Sequence, residues 1–169
     1  MGSRPAQRVT AFAQVSNAPL HIVLVEPQIP PNTGNIARLC AATGCALHLV
    51  EPLGFSLDAR ELKRAGLDYW DELGVVIHAS LEEFMAVSSA CWFFSTRAVQ
   101  RYDRVQFSHG DMLVFGKETA GLPEATISAN AARALRIPMR GGVRSLNLAT
   151  AVGIAAYAAL AALRYPNLR

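Results

Sequence analysis

Apolar residues in this chain come in short continuous runs rather than in alternation. Residues 20–25 (LHIVLV) are a β-branched run, the pattern of a strand buried on both faces. Pro27, Pro30 and Pro31 follow and predict a loop. Asn32-Thr33 are positioned to cap a helix over 34–43, which Gly44 ends. Residues 46–50 (ALHLV) predict a second strand, 57–65 a short basic helix, and 75–77 a third strand. A helix over 80–87 and a fourth strand over 91–94 (CWFF) come next. Residues 112–115 (MLVF) predict a fifth strand that runs straight into Gly116. A helix over 123–129, a sixth strand over 134–137 and a closing helix over 145–164 complete the pattern.

Strands alternating with helices predict an α/β fold: a single domain with one parallel sheet and helices on both faces. Ligands in such sheets bind beyond the carboxyl ends of the strands. Those ends are marked by Glu26-Pro27, Ser95-Thr96, Gly116-Lys117 and Pro138-Met139. Residues 97–110, charged and poor in apolar pattern, predict a long functional loop.

A length of 169 residues suits one domain. Residues 1–18 are polar and mixed, without a signal-peptide pattern, and predict a flexible tail before a domain over 19–169. The net charge of +3 is compatible with nucleic acid without requiring it. Cys40, Cys45 and Cys91 form no CxxC pair and read as reduced, buried thiols of a cytoplasmic protein. His21, His48, His78 and His109 are scattered, so no metal site is expected. The charge-free stretch 146–163 is mostly alanine and holds Asn147, Thr150 and Gly153. It reads as a core or subunit-interface helix, not a membrane span.

Three stretches bear chemistry. In PPNTGNIAR (30–38), Asn35 and Arg38 lie one helical turn apart, beside the amides of a predicted helix start where anions bind. Arg38 suits a phosphate or a developing negative charge, since its guanidinium is a fixed fork of donors; the plainer reading is a surface arginine. In LVFGKETAGLP (113–123), a buried strand ends in Gly116, with Gly121 five residues on. Glu118 either holds that turn by accepting backbone amides or contacts a ligand. In IPMRGGVRSLNL (137–148), Ser145 is positioned to cap the last helix and Asn147 falls in its first turn. Arg60, Lys63 and Arg64, leading to Tyr69-Trp70, form one basic cluster, and Arg97, Arg101 and Arg104 another. Arginines near aromatics can grip RNA phosphates and stack bases, although such clusters are more often solvated faces.

Taken together, in this order, PPNTGNIARLCAATG, AGLDYW, FGKETAGLP and IPMRGGVRSLNLATAV resemble the SPOUT superfamily of RNA methyltransferases over about residues 20–165. Within it they are similar to the branch that methylates the ribose 2′-hydroxyl of the tRNA wobble nucleotide. The resemblance implies a deep trefoil knot at the carboxyl end. It also implies S-adenosylmethionine bound by the knot loops, with contacts at Thr96, Gly116, Ile137, Ser145 and Leu146. Arg38 matches the arginine regarded as catalytic, with Asn35 in support; Glu118 and Asn147 match supporting polar positions. The implied substrate is cytidine or uridine 34 of tRNA, leucine tRNAs in particular. Two departures stand out: Ala149-Thr150 where Ser-Asn is usual, and Lys117 where proline or serine is frequent. The sequence shows no appended RNA-binding module, so Arg60, Lys63 and Arg64 are the expected RNA contacts. A homodimer is expected, with Tyr157 in the middle of its face. Methyl transfer from a sulfonium needs no metal. The rivals are a ribose methyltransferase for another tRNA or rRNA site and a catalytically silent RNA-binding homologue. A flavodoxin-like domain would want a phosphate loop after the first strand, where the proline-rich 26–31 stands instead.

Overall fold

Strand β1 (Leu20–Val25) is buried along its whole length because it lies inside a sheet, paired in parallel with β2 (Ala46–Val50) and β6 (Asp111–Phe115). The computed structural model describes residues 15–57 and 73–169. Within them lie α1 (Pro30–Thr43), β3 (Val75–His78), α2 (Leu81–Val87), β4 (Cys91–Phe94) and β5 (Gln100–Arg101). After β6 come α3 (Glu124–Ala129), β7 (Ala134–Arg136) and α4 (Leu148–Ala162). The seven strands are ordered β3-β2-β1-β6-β4-β7-β5, and every pairing is parallel.

Two cores explain the unbroken apolar runs. Leu20, Ile22 and Leu24 face Ile36 and Cys40 of α1 and Val152, Ala156 and Leu160 of α4. Val23 and Val25 face the other way, with Phe84 of α2 and Ile127 of α3. Helices thus cover both faces, and each inner strand is apolar at odd and even positions alike.

Beyond small shifts at element ends, two helix starts and one strand differ from the sequence pattern. Helix α1 starts at Pro30, not Gly34, because prolines fit the first helical positions, whose amides have no intrahelical acceptor. Asn32 and Thr33 therefore lie inside the helix, and Ile29 at the N-cap makes no side-chain cap. Ser145 is not the cap of α4: Asn147 is, its side chain accepting from the Thr150 amide at 3.3 Å. A seventh strand, β5, is two exposed residues held at the sheet edge by β7, with no apolar signal to betray it.

Histidines far apart in sequence meet in space. His21, His48 and His78 sit on three adjacent strands and point to the same face. The rings form a chain, His21 Nδ1 to His48 Nε2 at 2.9 Å and His48 Nδ1 to His78 Nε2 at 3.0 Å, with Phe84 edge-on to the last two. Burial, with repulsion from the other two rings, pushes His48 down to about 3. Cys40, Cys45 and Cys91 are free and buried.

The structure leaves most of the predicted tail and basic helix outside the described residues, and with them Arg60, Lys63, Arg64 and Tyr69-Trp70. Among the described residues, no helix is long and apolar enough to cross a membrane. No cluster of three or more His, Cys, Asp or Glu there could hold a metal. Helix α4 buries Val152, Ala155, Ala156, Ala159 and Leu160, while Tyr157 is 47% exposed on its outer side.

Candidate active site

The carboxyl ends of β4 and β6 and the loop after β7 border an open cavity of about 780 Å³. That size falls in the range of small-molecule sites. Phe94 and Phe115, the last residues of adjacent strands, stack at 4.7 Å between ring centres and form part of its wall. Thr96, Gly116, Ile137, Ser145 and Leu146 all line it. Ser145, displaced from the capping position, lies exposed in the loop before α4.

The turn after β6 is a close backbone contact. A Cβ on Gly116 would lie 2.0 Å from the Gly121 carbonyl carbon and 2.1 Å from the Leu122 nitrogen. No side chain fits there. Gly121 closes the turn at φ +70°, its amide donating to the Lys117 carbonyl at 2.8 Å.

Residues 117–119 bind the loop between β1 and α1 side by side. The Lys117 ammonium pairs with Glu26 at 2.5 Å. Glu118 accepts from the amides of Gln28 at 2.8 Å and Ile29 at 3.1 Å, and from Asn32 Nδ2 at 3.0 Å. The Thr119 hydroxyl donates to Gln28 Oε1 at 2.7 Å. Of the two roles open to Glu118, the structure thus shows it bracing a loop through backbone amides. Asn147 Nδ2 donates to Asn32 Oδ1 at 2.9 Å, so Glu118, Asn32 and Asn147 form one continuous chain. The three stretches, distant in sequence, are tied together at the cavity.

Asn32 is the residue the sequence pattern missed. It reads there as a helix cap, but it is 6% exposed and lines the cavity. An amide has both the donor that Glu118 needs and the acceptor that Asn147 needs. Its partners lie 86 and 115 residues away, so no local spacing announces them.

Arg38 and Asn35 are both exposed and lie outside the cavity lining. They are the ninth and sixth residues of α1, not part of its first turn. The free amides of the helix start are therefore not beside them, and only their shared face remains of that expectation. Arg97 is engaged with Glu124 at 2.7 Å and with the Leu122 carbonyl at 2.8 Å. Arg101 pairs with Asp103. Two of the three arginines of the long loop are thus held by their own protein.

The SpoU rRNA Methylase family model matches residues 19–157. The chain belongs to that family. It is similar to the tRNA (cytidine(34)-2'-O)-methyltransferase of Saccharophagus degradans, 48% identical over 142 residues that cover 82% of this chain and 92% of the relative. A solved structure described as giving structural insights into the 2-OH methylation of C/U34 on tRNA is 47% identical with a TM-score of 0.80, covering 86% of this chain and 96% of its own. An AdoMet-bound rRNA methyltransferase from Sinorhizobium meliloti is 25% identical with a TM-score of 0.80, covering 93% of this chain and 62% of its own.

Within this SpoU methylase, the two departures from the usual pattern have local explanations. The Thr150 backbone N–H still makes its helix-start hydrogen bond, donating to Asn147 Oδ1. Lys117 is accommodated by Glu26, a residue at φ +51° at the end of β1.

Proposed function

We propose that this chain transfers a methyl group from S-adenosylmethionine to the ribose 2′-hydroxyl of tRNA at wobble position 34, cytidine or uridine, with leucine tRNAs as substrates. The observation that carries this reading is the meeting of the three stretches on one cavity, joined through Glu118, Asn32 and Asn147. The names and titles of the relatives, which specify nucleotide 34 of tRNA, support it.

The cavity suits such a donor chemically. Its apolar side chains, among them Phe94, Phe115, Ile137 and Leu146, match the nucleoside ring and the methylene carbons of the donor. The turns at Ser95–Arg97 and Gly116–Gly121 line it too, and backbone groups there other than the bonded amides of Ser95, Arg97 and Gly121 suit polar edges. Thr96, Gly116, Ile137, Ser145 and Leu146 would hold it. Once bound, the sulfonium supplies an electrophilic methyl group.

The protein's part in the reaction is alignment and charge stabilisation. The ribose hydroxyl must lose its proton as it attacks in line. Arg38, exposed and outside the cavity lining, faces the RNA in this reading. It takes the phosphate beside the target ribose and stabilises the charge growing on the 2′ oxygen. Asn35, one turn away, steadies that contact. Glu118 and Asn147 act at a distance, by fixing the start of α1 through Asn32.

The proposal includes the trefoil knot, a cytoplasmic location and a homodimer. Helix α4 has no charged residue from Leu148 to Ala162, and Tyr157 stands out from its exposed side near Tyr165. An uncharged face of that kind suits a two-fold contact. One protomer then holds the donor while its partner adds RNA surface. Arg60, Lys63 and Arg64 are proposed as further phosphate contacts.

The test is to incubate the protein with methyl-labelled S-adenosylmethionine and total RNA and to map the label. Label on the ribose of nucleotide 34 of leucine tRNAs supports the reading. Label on rRNA, on a base, or nowhere overturns it.

A further inference from the structure

The charges around the cavity do not balance within the protein. Four formally charged side chains line it: Arg97, Lys117, Glu118 and Arg144. Arg97 is neutralised by Glu124 at 2.7 Å. Lys117 is neutralised by Glu26. Glu118 receives three N–H donors from the β1–α1 loop. Arg144 alone of the four has neither a hydrogen bond nor an ion pair among the described residues.

The loop that bears Arg144 is built to stand clear of the rest. It leaves β7 and reaches α4 without regular structure, and residues 140–145 are all exposed. A Cβ added to Gly141 or Gly142 would meet nothing within 4 Å, and Gly142 sits at φ +87°. Arg140, on the same loop, is also exposed and has no ion pair or hydrogen bond among the described residues. One uncompensated guanidinium therefore lies on the cavity wall and another stands close by in sequence.

A guanidinium is a planar fork of five donors, matched to a two-oxygen anion. Two oxyanions could reach Arg144: a carboxylate on a ligand inside the cavity, or a phosphate on a chain arriving from solvent. Its exposure favours the second. The side chains that brace the site, Glu118 and Asn147, are each tied by hydrogen bonds within the protein, whereas Arg144 is both exposed and untied among the described residues. We propose that Arg144 binds a backbone phosphate of the RNA at the rim of the cavity. This rests on the function proposed above and adds to it a named phosphate contact on the loop before α4.

Binding of purified substrate tRNA by the full chain is measured over a series of salt concentrations for wild type, Arg144→Ala and Arg144→Lys. S-adenosylmethionine binding is measured for each by calorimetry. Releasing one phosphate contact lowers the slope of log affinity against log salt by about 0.7–0.9. For Arg144→Ala we expect that loss of slope and about a tenfold weaker tRNA complex, with donor affinity and thermal unfolding as in wild type. Arg144→Lys keeps the slope and recovers part of the affinity, since a point charge replaces a fork. An unchanged slope in Arg144→Ala, with wild type binding tRNA normally, overturns this inference and leaves the proposed function standing. Weaker donor binding with an unchanged slope also overturns it, by assigning the arginine to the donor's carboxylate. Wild-type protein that neither binds nor methylates tRNA overturns both.

Discussion

The side-chain amide of Asn147 donates to Oδ1 of Asn32 at 2.9 Å, across 115 residues of chain. The same Asn147 caps α4 through its oxygen, and the same Asn32 donates to Glu118. One amide–amide contact thereby joins the start of α1, the turn after β6 and the start of α4. Both asparagine amides use donor and acceptor in the one orientation that satisfies their neighbours, and the Glu118 carboxylate ends the chain as an acceptor.

Asn147→Asp should separate these roles, because it keeps the capping oxygen and removes the donor to Asn32. A lost hydrogen bond to a buried acceptor costs about 1–3 kcal/mol. The variant should unfold earlier in urea by that amount. A double-mutant cycle with Asn32→Ala should give a coupling of about 0.5–3 kcal/mol. Additive effects would mean that the contact does not link the two stretches.

Arg38→Ala should leave S-adenosylmethionine binding unchanged, because the residue is exposed and outside the cavity lining. Methyl transfer at saturating donor should fall by about two to three orders of magnitude, the usual cost of removing one donor to a developing oxyanion. Calorimetry and a single-turnover assay check the two halves. Lost donor binding in a folded variant would remove Arg38 from the RNA side of the site.

The histidine chain makes stability fall in acid. Burial pushes His48 down to about 3 from 6.5, and lowers His21 and His78, with His109 adding to the first and Glu83 opposing the second. Each ring thus binds its proton less readily folded than unfolded. The stability is fully present above the unfolded value and is lost as pH falls toward the folded one, here from 6.5 toward about 3. Each proton taken up on unfolding steepens the dependence by about 1.4 kcal/mol per pH unit. Urea unfolding between about pH 7.5 and 4.5 should show this slope, and His48→Leu should reduce it by about one proton. The slope is the readout, since that variant is less stable at every pH.

The sheet and its two layers were legible because buried parallel strands leave continuous apolar runs, as in LHIVLV and MLVF. The start of α1 was not, since Pro30 and Pro31 serve loops and first helical turns equally well. The cap of α4 was misplaced by two residues because Ser145 and Asn147 are both capping types. The contact chain from Glu118 to Asn147 and the histidine chain were invisible because their links join residues 27 to 115 apart. Thr96, Gly116, Ile137, Ser145 and Leu146 came from the resemblance, and the fold gathers all five on one cavity wall. Charge balance at the cavity needs the ion pairs of Arg97 and Lys117, which only the folded chain reveals.

If the methyl group goes to the 2′ oxygen of nucleotide 34, removing that one oxygen abolishes the reaction. Two leucine tRNAs are made that differ only at nucleotide 34, one with ribose and one with 2′-deoxyribose. Each is incubated with the protein and methyl-labelled S-adenosylmethionine. Label is expected in the first and none above background in the second, with both tRNAs binding about equally. Equal label in the two would contradict methylation at that oxygen.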